Sequence, residues 1–328
     1  MVSQRRSASS KDPFLMAEAA QMYYAEDCTQ AQIAQRMGLS RSNVSRMLIE
    51  ARSQGMVEIR LHPPLRTVPG LQEELVWRLG LRECRVLATF GRDSRYLEPT
   101  DIVTHVAALG ARYLRENISG GDTVGLGWGR SVHRVVHNRF LREEENVTVV
   151  QAMGSIGGSI AEYDGVATTA RLAGVLGASA HYMHAPMLVT EAAARNALLR
   201  DPHIRKALEV ARRADTMVLS VGTIGREHGQ YRTGYLSDAD LDSIRDQGVV
   251  GEVCGTYFAS DGSLVPLEMN ERTIAIDSEA LLNIPKRIGV SSGPEKPEAN
   301  VGVARSGLIN ILITDEGTAR KMLEIVAS

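Results

Sequence analysis

Three stretches of the chain combine glycine with hydroxyl side chains in a way that suits a small anion. Gly125-Leu126-Gly127-Trp128-Gly129-Arg130-Ser131-Val132 follows an apolar run and precedes an amphipathic one. Glycine lets the backbone come close to a ligand, a helix start offers free N–H groups, and Arg130 and Ser131 add donors. Gly154-Ser155-Ile156-Gly157-Gly158 and Gly222-Thr223-Ile224-Gly225 repeat the composition. A tight structural turn explains the first stretch taken alone. Hydroxyl residues in all three point to a shared pocket. Lys296 sits where a helix should begin, and a cation there opposes the helix dipole unless an anion compensates it. The alternative is a solvated surface lysine. Gly251-Glu252-Val253-Cys254-Gly255 places a carboxylate among glycines. It suits sugar hydroxyls, or equally an edge-strand charge facing water.

A second kind of chemistry lies nearer the N-terminus. Thr29 and Ser40 are good N-caps for two short helices. Ile33, Ala34 and Met37 share a face of the first, and Val44, Met47 and Leu48 share a face of the second. Gly38 permits the sharp turn between them, and Leu39 plugs the corner. This is helix-turn-helix spacing. It leaves Arg41, Ser42, Asn43, Ser45 and Arg46 outside, with Thr29 and Gln30 at the start of the first helix. Arg and Asn pair bidentately with guanine and adenine edges, and Ser reaches phosphate. An ordinary helical hairpin with a solvated polar face is the plainer alternative.

The elements that must position these residues follow from the pattern. Residues 14–26 read as a helix ahead of the helix-turn-helix, and 57–61 as the strand of a small wing. His62-Pro63-Pro64 ends this head. Residues 1–12 are expected to be a disordered tail, 13–62 the DNA-binding domain, 63–80 a linker helix and 81–328 the effector domain. The linker helix, Pro69 to Leu79, either bridges to a second chain or packs on the body. Strands are expected at 85–90, 123–127, 147–153, 180–183, 216–221, 249–254, 273–276, 286–290 and 308–314. Amphipathic helices are expected between many of them, at 100–117, 131–141, 165–177, 190–200, 202–213, 237–246, 278–283, 294–305 and 316–326. Such alternation predicts an α/β fold with a mainly parallel sheet behind a small all-α winged head. Ligands in such folds sit at the carboxyl ends of strands, so the three glycine-rich ends should lie side by side.

Composition narrows the function. Hydrophobic residues make up 44% and charged residues 23% of 328 residues, the mix of an ordinary globular protein. No apolar run is long enough to span a membrane, and the start lacks the apolar core of a secretory signal. Cys28, Cys84 and Cys254 are odd in number and scattered, which suits the cytoplasm and offers no metal spacing. No cofactor is expected. The net charge of −2 hides a head of +2 (eight basic, six acidic residues to position 62) on a body of −4.

The head motif, Gly127-Trp128-Gly129, Ala185-Pro186, Val221-Gly222-Thr223-Ile224-Gly225, Asp261-Gly262 and the closing Ile309-Asn310-Ile311-Leu312-Ile313-Thr314-Asp315-Glu316 occur in this order. As a set they resemble the SorC family of bacterial sugar-responsive transcriptional regulators, over about residues 14 to 326. The resemblance implies a body folded like sugar-phosphate isomerases and deaminases, a phosphorylated sugar as effector, operator DNA as partner, and a tetramer. Gly127, Trp128, Gly129, Arg130 and Ser131 would form the phosphate loop, with Gly154 and Ser155 beside it. Thr223 and Gly225 would line the pocket, Glu252 would take hydroxyls, and Lys296 would face phosphate. Arg130 stands where the family commonly has Thr or Ser. The lysine that some members use for a Schiff base is absent from Gln151-Ala152-Met153-Gly154-Ser155, so no covalent capture is expected. An isomerase or deaminase carrying a DNA-binding head is the alternative. It needs an acid–histidine pair at a glycine-rich strand end. His133, His137, His181, His184, His203 and His228 are available in the body, and none follows an acid by two positions at such an end.

Overall fold

The structure, a computed structural model of the chain, describes residues 12–57, 65–89, 102–156 and 164–327. It forms two compact units, Met1–Pro64 and Leu65–Ser328.

In the first unit, α1 (Pro13–Tyr24) starts at Asp12, whose carboxylate accepts from the Phe14 N–H. Helix α2 (Gln30–Met37) opens on a capping box, in which the Thr29 hydroxyl accepts from Gln32 N–H and the Gln32 side chain accepts from Thr29 N–H. Gly38 ends it at φ +65°, in the left-handed region. Ser40 caps α3 (Arg41–Ser53) by accepting from Asn43 N–H at 3.2 Å. Met16, Ala19, Ile33, Ala34, Val44, Met47 and Leu48 close a small core between the three helices. The strand expected at 57–61 lies, from 58 on, outside the described residues, as do 1–11 of the N-terminal tail.

The second unit is built on strands β1 (Glu83–Leu87), β2 (Thr123–Leu126), β3 (Thr148–Gln151), β4 (Ser179–His181), β5 (Thr216–Ser220), β6 (Gly222–Thr223), β7 (Val249–Val253), β8 (Thr256–Ala259), β9 (Lys286–Val290) and β10 (Ile311–Asp315). Seven form one parallel sheet in the order β1-β10-β9-β5-β2-β3-β4. Side chains alternate between its faces. Met217 and Leu219 enter one core and Val218 the other, and Leu312 divides from Ile311 and Ile313 in the same way. Helices α4 (Pro69–Leu79), α13 (Pro297–Ser306) and α14 (Glu316–Ala327) pack into the first core. Helices α5 (Ile102–Asn117), α6 (Arg130–Val136) and α7 (Gly165–Leu176) pack into the second. The remaining helices are α8 (Ala192–Leu198), α9 (Pro202–Ala211), α10 (Gly229–Arg232), α11 (Asp238–Asp246) and α12 (Ser278–Leu282). With Leu75 and Leu79 buried against β1, α4 belongs to the body's packing.

Several expected boundaries move. Residues 249–254 do not join the parallel sheet. They supply the middle strand of a separate antiparallel sheet, β6-β7-β8. Residues 273–276 form only isolated bridges, Thr273 to Leu188 and Ala275 to Met153. Asp277 then begins α12 by accepting from Ala280 N–H. The helix expected from 294 starts at Pro297, with Lys296 as its N-cap residue and not within its first turn. The helix expected to 141 stops at Val136, and Asn138 turns the chain by accepting from Phe140 N–H.

The Gly38 turn between α2 and α3 needs a backbone angle that favours glycine. A Cβ there meets nothing within 4 Å, so the cost of Gly38→Ala is conformational alone. We expect a loss of about 1 kcal/mol in the stability of the α2–α3 region. Amide exchange of the full chain should show faster opening of α2 and α3 with β9 and β10 unchanged. Equal protection of both units would refute this.

Candidate functional site

A parallel sheet with both faces covered exposes its strand ends, and the ends of β5, β2 and β3 are neighbours. A cavity of about 730 Å³ runs along this carboxyl edge. Each neighbouring strand contributes a wall residue: Thr89 after β1, Asp315 on β10, Ser292 after β9, Ser220 on β5, Gly127 after β2 and Met153 after β3.

Gly127 continues the ladder, its N–H donating to Val218 O at 3.0 Å. Gly129 then sits at φ +131°, and a Cβ there would lie 2.7 Å from Ser220 Oγ. That oxygen accepts from Val132 N–H at 3.3 Å, so the glycine lets Ser220 reach the start of α6. Arg130 Nη1 lies 3.6 Å from Glu227 Oε2. The Trp128 indole N–H points at Met187 Sδ, 3.3 Å away. Its ring lies over Gly229, where a Cβ would fall 2.1 Å from the ring edge.

Lys296 faces the cavity with its side chain only 16% exposed, and Nζ donates to Val221 O at 3.0 Å. Burial holds its pKa below the usual lysine value. Glu295 counteracts this, Arg130 adds to it, and Glu252 counteracts it. Glu252 projects from β7, and its Oε2 accepts from Gly255 N–H at 2.9 Å. Cys254 at φ +50° and Gly255 at φ +75° make the two-residue turn between β7 and β8. Gly222 lacks the side chain that would collide with Glu252 Oε1 at 2.6 Å. Burial pushes the Cys254 thiol well above the ordinary cysteine value.

Of the residues expected at the site, Gly127, Trp128, Gly129, Arg130, Ser131, Thr223, Glu252 and Lys296 line the cavity. Three do not. Gly154 and Ser155 are stitched to another segment: Gly154 N–H donates to Ile274 O, Ser155 N–H to Ala185 O, and Met187 N–H to Ser155 O. A Cβ on Gly154 would strike the Pro186 carbonyl at 2.5 Å, so this glycine serves backbone packing. Gly157 and Gly158 lie outside the described residues. Gly225 turns the chain, its carbonyl accepting from His228 N–H at 2.8 Å.

The structure adds Arg134, Arg232, Lys321, Ser220, Ser292 and Thr318, which sequence reading missed, and brings in His228, which that reading offered only to the enzyme alternative. Arg134 is one helical turn beyond Arg130, a spacing that could have flagged it. His228 Nε2 stands 3.7 Å from Glu252 Oε1. The pair is assembled from positions far apart in sequence, so no local motif shows it. His184 is exposed and does not line the cavity. Five cations (Arg130, Arg134, Arg232, Lys296, Lys321) face four carboxylates (Glu227, Glu252, Glu295, Asp315). The cavity is therefore more positive than the acidic body around it.

In the first unit, Arg41, Ser42 and Arg46 are exposed on α3, while Asn43 and Ser45 are half-buried. The Ser42 and Ser40 hydroxyls are 3.0 Å apart. Thr29 is exposed and Gln30 half-buried at the start of α2.

Residues 67–324 match the profile of a sugar-binding domain family, and residues 20–64 match the MarR family. The chain belongs to the SorC family of sugar-responsive transcriptional regulators. It is 29% identical to the deoxyribonucleoside regulator of Bacillus subtilis over 310 residues, covering 94% of this chain and 97% of that protein. It is 27% identical to the sorbitol operon regulator of Klebsiella pneumoniae over 318 residues, covering 96% and 99%. The crystal structure of full-length SorC from Klebsiella pneumoniae superposes with a TM-score of 0.71 at 26% identity, covering 95% of this chain and 99% of that one. Among the described residues of this SorC-family chain, no helix is long and apolar enough to cross a membrane, and no three metal-ligating side chains cluster.

The contact between Trp128 and Gly229 offers a direct check on the cavity wall. The chain has two tryptophans, and Trp77 is 78% exposed. In a Trp77→Phe background, Gly229→Ala should force the Trp128 ring outward and shift its emission to longer wavelength. An unshifted emission would mean that the ring has room to spare.

Proposed function

We infer that the cavity is the effector site of a DNA-binding regulator of a carbohydrate or nucleoside operon, and that its effector is a phosphorylated sugar or polyol. One observation carries this reading. A cavity at the carboxyl edge of a parallel sheet gathers an excess of cations beside Glu252 and several hydroxyls, in a chain whose other unit exposes the basic face of a helix-turn-helix. Cations and hydroxyl donors suit phosphate oxygens. A carboxylate suits sugar hydroxyls. The relatives' names support the class, one being a regulator for deoxyribonucleosides and one for a sorbitol operon.

Roles follow residue by residue. Gly127, Gly129, Arg130, Ser131 and Lys296 take the phosphate. Trp128 and Thr223 line the carbon chain, and Glu252 accepts from its hydroxyls. Arg41, Ser42, Asn43, Ser45 and Arg46 meet the operator, with Thr29 and Gln30 near its backbone. A single helix-turn-helix buries too little surface for tight specific binding, so paired heads act on paired half-sites. The assembly is a cytoplasmic homo-oligomer, a tetramer in preference to a dimer, and light scattering should give a mass of four chains. The His228–Glu252 pair favours one second reading, proton-transfer chemistry on a sugar phosphate. Turnover of a sugar-phosphate panel would establish it. We expect none.

Lys296→Ala should weaken a phosphorylated effector far more than its unphosphorylated parent in titration calorimetry. Equal losses for both would remove Lys296 from the phosphate site. The sign with pH follows from the depressed lysine. Affinity for the phosphate falls as pH rises through that value and the cation is lost, and the variant should lack this limb of the profile. Arg46→Ala should weaken specific operator binding by about 1–3 kcal/mol at fixed salt. Unchanged affinity would remove it as a base reader.

A further inference from the structure

His228 faces the cavity with its side chain 2% exposed, yet neither ring nitrogen has a hydrogen-bond partner. Its neighbours hold it in place. The backbone N–H is fixed on Gly225 O, and the Trp128 ring covers the next residue, Gly229. Gln230 is pinned by Tyr257, whose hydroxyl donates to Gln230 Oε1 at 3.1 Å. The ring is therefore held in place with neither nitrogen hydrogen-bonded, its nearest charged neighbour being Glu252. Buried polar groups are almost always paired, so an orphan imidazole on a cavity wall needs an explanation.

The geometry to Glu252 supplies one. Nε2 and Oε1 are 3.7 Å apart, too far for a direct hydrogen bond. The gap suits one oxygen atom set to the side of the line between them. That atom must accept from the imidazole N–H and donate to the carboxylate. A hydroxyl does both. A phosphate oxygen does not, because it would face the Glu252 carboxylate without a proton to give. The other carboxylate oxygen is already committed to Gly255 N–H, which fixes the orientation of the first.

We propose that His228 and Glu252 form a clamp for a single hydroxyl of the effector, and that His228 is the residue that makes the site reject ligands lacking it. The clamp rests on the sugar or polyol reading of the cavity and adds to it a subsite for a neutral hydroxylated carbon. Specificity follows from the buried nitrogen. A deoxy ligand leaves His228 unpaired, whereas a hydroxylated one satisfies it, and sites of this kind discriminate strongly against the missing hydroxyl.

The clamp has a signature that a structural histidine lacks. Replacing an unpaired buried imidazole by an apolar ring removes a desolvated polar group, so the unliganded protein should not lose stability. His228→Phe, with His228→Leu as the smaller alternative, should leave the melting temperature of the full-length protein equal or higher. The probes are ribose 5-phosphate, 2-deoxyribose 5-phosphate, sorbitol 6-phosphate and the unphosphorylated parents of all three. For the probe that binds the wild-type protein most tightly, both variants should weaken affinity at least tenfold. Glu252→Gln should weaken it too, and the double variant should lose less than the product of the single losses. Unchanged affinity in both His228 variants, or a fall in melting temperature in both, would overturn the clamp. Binding by the wild-type protein of unphosphorylated probes alone would overturn the phosphate reading while the same variants still test the clamp. Binding of none of the six would overturn both.

Discussion

The middle strands of the parallel sheet, β10, β5, β2 and β3, are buried along almost their whole length, which leaves chiefly their ends for polar chemistry. Every residue of β10 is buried, and the two cores take alternate side chains of β5 and β10. A charged group within such a strand would be desolvated without a partner. The polar residues therefore gather where the strands stop, at Ser220, Ser292 and Asp315. The carboxyl edge is also where backbone N–H groups of the following turns come free. Asp315 shows how such an edge is stabilised without a cation. It accepts from Gly293 N–H, from Thr318 N–H and from the Thr318 hydroxyl.

Close packing then decides which glycines matter. Gly129 is held by its backbone angle and by Ser220 Oγ, and Gly222 gives Glu252 room. Gly154 has the same composition around it and a different task, since its missing side chain admits the Pro186 carbonyl. Composition at a strand end therefore predicts proximity of backbones. Whether the object that comes close is a ligand or another segment depends on strand order. Here β3 is followed by a stretch that bridges to 186 and 275, and this seals its end on one side.

That distinction marks what was legible in the sequence. The capping residues Thr29 and Ser40 fix their helices locally, through bonds within four residues, and such signals can be read directly. The alternation of strand and helix gave the parallel sheet for the same reason. The antiparallel sheet β6-β7-β8 was not legible, because a two-residue strand such as β6 has no periodicity to detect. His228 and Glu252 were read separately and never as a pair, because only the pairing of β6 with β7 brings the turn after Thr223 towards Glu252. Trp128 was legible as part of a motif. Its role as a wall depends on Gly229, a hundred residues later.

The energetics of regulation bound what an effector in the proposed site can do. An effector changes operator affinity only by the difference in its own affinity for the DNA-competent and DNA-incompetent states. Each tenfold change needs about 1.4 kcal/mol of that difference. Groups already satisfied in the unliganded protein contribute little to it. The Glu252 bond to Gly255 and the Lys296 bond to Val221 O are of this kind, because a ligand must replace or share them. A group left unsatisfied contributes the most per contact, since its desolvation cost is already present before the ligand arrives. On the reading proposed above, the cations would hold a phosphate by charge and so set how tightly an effector binds. The unpaired imidazole is better suited to setting which effector counts.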